Sequence, residues 1–185
     1  SGLGCGGMGR HHLRTLEQMD EFEVVGLCDV ARESIGLARE VCGEVAGYAD
    51  FAEMYEQLKP DVVTVATQTR GHYGPAVAAL ERGISVLCEK PIAIDLVEAD
   101  EMVAAAVKSG AKLAINQQNH VNPAVRKGQQ MMRAGAIGEP VAVRGRNKCG
   151  RKSGNEFTEM GTHVADMMLC FGGEPEWCAG SVWWQ

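Results

Sequence analysis

Residues 61–91, DVVTVATQTRGHYGPAVAALERGISVLCEKP, decide the fold. Asp61 to Thr67 is a continuous apolar run, the pattern of a strand buried on both faces of a parallel sheet. Gly71 to Arg82 follows with helical spacing and is ended by Gly83. Ile84 to Cys88 is a second β-rich run, closed by Glu89-Lys90-Pro91 and followed by a helix start at Asp95. Strand, helix and strand in this order imply a parallel pair joined by a right-handed crossover. Ligands of open α/β sheets bind outside the carboxyl ends of the strands, which is where Lys90 falls.

The same alternation extends outward. Glu23 to Asp29 reads as a strand, Ala31 to Cys42 as a helix and Gly47-Tyr48 as a short third strand. Asp50 caps the next helix, with Glu53 as its capping-box partner. Asp95 and Glu98 open a long helix that runs through Lys108 to Gly110, and Lys112 to Ile115 is a further strand. The predicted fold is α/β, a Rossmann-type doubly wound parallel sheet. At the start, Gly4-Cys5-Gly6-Gly7-Met8-Gly9 leads into a helix from about Met8 to Met19. Only Ser1-Gly2-Leu3 precede that turn, so the first strand of the sheet is expected to be missing.

The pattern changes near Asn116. Pro123 to Met132 reads as a helix, Gly135 to Gly138 as a turn, Val141 to Gly145 as a strand, Thr158 to Phe171 as an amphipathic helix and Glu176 to Trp184 as a Trp-rich strand. Two domains are predicted: 1–115, which carries the doubly wound sheet, and 116–185, which holds only one or two strands. One or two strands are too few to cover a sheet face alone. This leads to the expectation that the 185-residue chain aggregates or binds a dinucleotide poorly by itself.

Composition excludes several classes. The net charge is −6 with acids and bases interspersed, and aromatics make up 5%. There is neither a basic stripe nor a base-stacking platform, so no nucleic-acid partner is expected. The seven cysteines include no CxxC pair, which removes a zinc-finger reading and suits a reducing, cytoplasmic compartment. No apolar run approaches the ~20 residues of a membrane helix, so no membrane partner is expected.

The glycine turn carries chemistry. Two registers fit G-x-G-x-x-G: Gly2, Gly4, Gly7 and Gly4, Gly6, Gly9. The second is preferred because it leaves room for an upstream strand, and its glycines let backbone N–H groups approach a pyrophosphate at a helix N-terminus. An acid about 20 residues on binds the ribose in such folds, and Asp29 lies there, at a strand end. Its carboxylate repels a 2′-phosphate, favouring NAD over NADP, although Arg32 is near enough to soften the preference and NADP remains possible.

These residues resemble the Gfo/Idh/MocA family of oxidoreductases. The matching stretches are GCGGMG at 4–9, CDV at 28–30, VATQTRGHYGPAVAALERGISVLCEKPIA at 65–93, GAIGEP at 135–140 and EMGTHVAD at 159–166. The resemblance implies an NAD- or NADP-dependent dehydrogenase of a sugar, cyclitol or related polyol, homo-oligomeric when full length, with 1–115 as its NAD(P)-binding Rossmann domain and 116–185 as the start of a C-terminal α/β domain built on a large open sheet. It implies cofactor-binding roles for Gly4, Gly6, Gly9, Asp29, Thr67, Thr69, His72, Glu89 and Lys90, and catalytic roles for Lys90, His163 and Glu159. Three departures stand out. Glu159 replaces the usual Asp, Gln68 a common Pro, and Asn119-His120-Val121 a more basic, aromatic segment.

The chemistry fits those types. Hydride leaving a carbinol carbon requires the hydroxyl proton to leave as well, and an unperturbed imidazole, the side-chain type at His163, suits that task near neutrality. Glu159, one helical turn earlier, can orient the imidazole, and Lys90 can stabilise developing alkoxide charge. Competing readings are an NAD-dependent glycosidase of the same fold and a non-catalytic NAD-binding regulator. Glu159, His163 and Asp166 share a helical face but have no second cluster to join, so no metal site is expected. Asp166 reads as structural and His120 as a possible pocket residue. His11 and His12 read as surface or capping residues, and Trp177, Trp183 and Trp184 as sheet core or interface.

Overall fold

The computed structural model describes residues 1–146 and 160–181. The chain divides into two compact units, Ser1–Asn116 and Gln117–Gln185.

The first unit is a six-stranded parallel sheet in the order β3-β2-β1-β4-β5-β6. The strands are β1 Gly2–Leu3, β2 Gly26–Cys28, β3 Ala46–Tyr48, β4 Val62–Val65, β5 Ser85–Cys88 and β6 Leu113–Ile115. The helices between them are α1 Gly7–Leu16, α2 Arg32–Cys42, α3 Phe51–Leu58, α4 Tyr73–Glu81 and α5 Leu96–Ser109. The sheet is the predicted Rossmann type, but the expectation of a missing first strand is corrected. Gly2 and Leu3 form β1 and pair in parallel with β2 on one side and β4 on the other. Two residues suffice because a central strand is hydrogen-bonded along both edges. They escaped pattern reading because two residues carry no period.

Local signals explain the helix starts. Asp50 accepts a hydrogen bond from the Glu53 amide at 3.0 Å, and Asp95 one from the Glu98 amide at 2.9 Å. Each satisfies a first-turn donor that has no partner within its helix. The predicted box at α3 is only half made, since the Glu53 carboxylate accepts from the Gln57 side chain instead of reaching back to Asp50. Gly110 ends α5 in the left-handed region at φ 76°, a conformation that favours glycine.

Two apolar layers cover the sheet. Leu3, Val63, Val65, Val86 and Cys88 pack with Met54, Tyr55, Leu80 and Met102 in one cluster. Leu27 packs with Cys5, Leu13, Ile35 and Ala38 in the other. Helices on both faces are what a fully parallel sheet requires.

The second unit contains a 3-10 turn at Gln118–Val121 and the helices α6 Pro123–Arg133 and α7 Gly161–Gly172. Asn122 caps α6, accepting from the Ala124 amide at 2.9 Å, with Pro123 at the first helical position where its missing N–H costs nothing. The strand expected at Val141–Gly145 is not formed. Apolar alternation shows a capacity for pairing, and no strand is available to pair with among the described residues of this unit. Val141 is 98% exposed. The strand expected at Glu176–Trp184 is likewise absent over 176–181, and its remaining residues lie outside the described part. No helix among the described residues is long and apolar enough to cross a membrane.

Candidate functional site

The strand order reverses between β1 and β4, and a cleft at the carboxyl ends of the strands is the expected ligand position there. The glycine turn lies at this point. Gly4 has φ +81°, and a Cβ on it would fall 2.6 Å from the backbone of Ala66 and Thr67. A Cβ on Gly9 would fall 1.8 Å from the Gly4 carbonyl oxygen. Both positions therefore exclude a side chain, and together they let α1 start hard against β1. Gly6, by contrast, faces open space. It precedes a helix with no acidic residue in its first turn and no side-chain cap, so the first-turn amides are available to an anion.

Asp29, at the end of β2, holds this turn. Its Oδ2 accepts from the Cys5 amide at 2.8 Å and its Oδ1 from the Ala31 amide at 2.8 Å. Each carboxylate oxygen accepts up to two bonds, which leaves capacity for a hydroxyl donor. The residues present therefore fit a dinucleotide.

The ends of β4 and β5 are tied together. Thr67 and Thr69 lie half-buried in the segment after β4, which includes the 3-10 turn Thr69–Gly71. His72 is 1% exposed, and its ring nitrogens face two carbonyl oxygens, that of Pro91 at 2.9 Å and that of Thr67 at 3.1 Å. It is a strut between the two strand ends, and its buried ring acts on the site through them.

Glu89 is 7% exposed. Its Oε1 meets His12 Nε2 at 2.8 Å and accepts from the Asn116 amide group at 2.7 Å, and its Oε2 accepts from the Lys90 amide at 3.3 Å. Burial alone would raise this carboxyl. The hydrogen bonds from His12 and Asn116, the charge of His12 and the Lys90 amide outweigh it and hold Glu89 below the usual carboxylate range. Lys90 is half-buried at the head of a cis peptide bond to Pro91.

His12 and Asn116 were not singled out as site residues in the sequence. His12, expected at the surface, instead joins α1 to the end of β5 across 77 positions, and no local pattern reports such a contact. Asn116 did carry a signal: it is a polar residue directly after the apolar strand β6, at the same end of the sheet as Glu89.

In the second unit His163 is half-buried on α7, and Glu159 lies outside the described residues. Asp166, one turn after His163, pairs with His120 at 2.6 Å. Cys170, a further turn along, has its Sγ 3.7 Å from His120 Nε2. Burial and then the charge of Asp166 raise the Cys170 thiol above its ordinary value.

The family described as oxidoreductases with an NAD-binding Rossmann fold (Gfo/Idh/MocA) matches residues 3–117. The D-apiose dehydrogenase of Paraburkholderia graminis is 33% identical over 138 residues, covering 75% of this chain and 37% of that protein. The myo-inositol 2-dehydrogenase of Thermotoga maritima is 26% identical over 180 residues, covering 93% and 54%. The chain thus spans about half the length, or less, of these curated relatives. The crystal structure of scyllo-inositol dehydrogenase from Lactobacillus casei with NAD(H) and scyllo-inositol superposes with a TM-score of 0.80 at 19% identity, covering 92% of this chain and 54% of that one. That likeness establishes the fold, and the match over residues 3–117 establishes kinship: this chain belongs to the Gfo/Idh/MocA family of oxidoreductases, with its NAD-binding Rossmann fold.

Proposed function

We propose that the protein is an NAD(P)-dependent dehydrogenase acting on a secondary hydroxyl of a sugar, cyclitol or related polyol. One observation carries the reading. The open glycine turn and the Glu89-Lys90 pair lie at the carboxyl ends of the same sheet, on either side of its switch point. The relatives named above are a D-apiose and an inositol dehydrogenase, which supports dehydrogenation over the glycosidase and regulator readings.

The nicotinamide, when bound, supplies the hydride chemistry. The amides at the start of α1 hold the pyrophosphate, with Gly6 leaving room for it. Asp29 accepts from a ribose hydroxyl and disfavours a 2′-phosphate. Thr67 and Thr69 flank the cofactor, and His72 sets their position. Glu89, kept ionised by its donors, accepts from the nicotinamide ribose and fixes the strand end that presents Lys90. Lys90 donates to the reacting oxygen and stabilises alkoxide charge. His163 takes the hydroxyl proton, with Glu159 orienting its ring.

The test is polyol-dependent NADH formation by the full-length enzyme, with myo-inositol and D-apiose among the substrates, in wild type, Lys90→Ala and His163→Ala. NAD binding is measured separately by calorimetry. The expected result is retained binding with turnover reduced on the order of 10²–10⁴-fold for His163→Ala. Unchanged turnover in His163→Ala removes that residue from the proton step, and a wild type that binds neither NAD nor NADP overturns the whole reading.

A further inference from the structure

We propose that His120, Asp166 and Cys170 form a three-ligand site for a divalent transition metal of the zinc class. From the sequence alone no metal site is expected, because Glu159, His163 and Asp166 on one helical face have no second cluster to join. The structure supplies the missing element. His120 comes from the 3-10 turn Gln118–Val121, and Asp166 and Cys170 come from one face of α7. One nitrogen, one oxygen and one sulfur from these three residues all lie within 4.8 Å of one another.

The dimensions suit a metal. Bonds of about 2.0 Å to nitrogen and oxygen and 2.3 Å to sulfur, in a tetrahedron, separate the ligand atoms by roughly 3.3–3.5 Å. His120 Nε2 is already 3.7 Å from Cys170 Sγ. Its contact with Asp166 Oδ1, 2.6 Å, opens by about 0.7 Å to admit the ion. Asp166 has a second oxygen for the purpose, since Oδ2 is buried and accepts no hydrogen bond from any described residue. A buried carboxylate oxygen left without a donor is costly, and a cation removes that cost.

The donor set selects the ion. Imidazole, carboxylate and thiolate together match Zn²⁺ and Co²⁺, whereas Mg²⁺ and Ca²⁺ take oxygen ligands. Three protein ligands leave a fourth position for water, and the side chain of His120, 53% exposed, keeps that position reachable from solvent. The frame behind the ligands is held by hydrogen bonds: Arg126 donates to the His120 carbonyl at 3.0 Å, and Gln129 to the Cys170 carbonyl at 3.0 Å. The site is made wholly of second-unit residues, so it stands or falls independently of the dehydrogenase reading.

The probe is Co²⁺ alone, titrated into the chelator-treated, reduced chain. The expected result is a one-equivalent complex with a near-ultraviolet thiolate charge-transfer band and the intense visible bands of tetrahedral cobalt, both removed by Zn²⁺. Cys170→Ser abolishes the charge-transfer band. His120→Gln, at an exposed position that does not test folding, weakens Co²⁺ binding by more than the roughly 10–100-fold that losing support behind a ligand costs. Zn²⁺ raises the Tm of wild type and leaves that of His120→Gln unchanged. A charge-transfer band that persists in Cys170→Ser, octahedral spectra without a thiolate band, or equal Co²⁺ affinity in His120→Gln overturns the proposal.

Discussion

Leu80 and Met102 in the first unit are wholly buried, while Met168 and Leu169 in the second are 42% and 45% exposed. All four stand on helices with comparable apolar content. Among the described residues, every buried core residue belongs to the first unit, and none of the second is buried. The difference lies in what each helix packs against. α4 and α5 lie beside β4 and β5 and pack with them into one cluster, whereas α6 and α7 have no strand beside them among the described residues. An apolar stripe is a capacity to be buried, and a partner surface decides whether it is used.

This contrast has a direct test, and it carries the largest expected effect. Met102→Ala leaves a cavity in a packed core and costs about 2–5 kcal/mol. Leu169→Ala, at a half-exposed position, costs about 1 kcal/mol or less. The units can be followed separately, because all three tryptophans, Trp177, Trp183 and Trp184, lie in the second and most of the helix and strand lies in the first. Met102→Ala therefore lowers the midpoint of the circular dichroism transition in urea, while Leu169→Ala acts on the fluorescence transition alone. Equal losses from the two changes would break the comparison.

A smaller effect sets one histidine–carboxylate pair against another. The His12 and Glu89 side chains are 13% and 9% exposed, and those of His120 and Asp166 are 53% and 14% exposed. His12→Ala removes a donor from a buried charged group and costs about 1.5–3 kcal/mol. His120→Ala in metal-free protein costs about 0–1 kcal/mol, as exposed pairs do. The acid limb separates them further. Glu89 is held below its unfolded range, so its contribution is present above the unfolded carboxylate pKa of about 4.3 and fades as pH falls through the lower folded value. Thermal melts from neutral to acid pH show this loss in wild type and a shallower one in His12→Ala.

The outline of the first unit was legible because its signals are local. Apolar runs, Asp50 and Asp95 at helix starts and Gly110 at a helix end each act within a few residues. The glycines of the turn were legible for a similar reason, since Gly4 and Gly9 exclude side chains by contacts within a βα turn and with the adjacent strand end. What escaped was non-local or too short to have a period. His12 meets Glu89, and His120 meets Asp166 46 positions away. β1 is two residues long and held by its neighbours. In the second unit the error ran the other way: Val141 to Gly145 has the composition of a strand, but a strand is a pairing, and composition cannot supply the second member.

The smallest test uses identical chemistry in both units. Asp95 caps α5 by accepting from the Glu98 amide at 2.9 Å, and Asn122 caps α6 by accepting from the Ala124 amide at 2.9 Å. Alanine at either position removes one side-chain acceptor at a helix start, worth about 1 kcal/mol. If the units are energetically separate, the same loss appears in different observables. Asp95→Ala moves the circular dichroism midpoint and leaves tryptophan fluorescence in place, and Asn122→Ala does the reverse. Distant, independent sites add, so the double variant then shows both shifts at full size. A double variant whose two transitions move together shows that the units unfold as one, and the contrast in burial then describes two parts of a single cooperative structure.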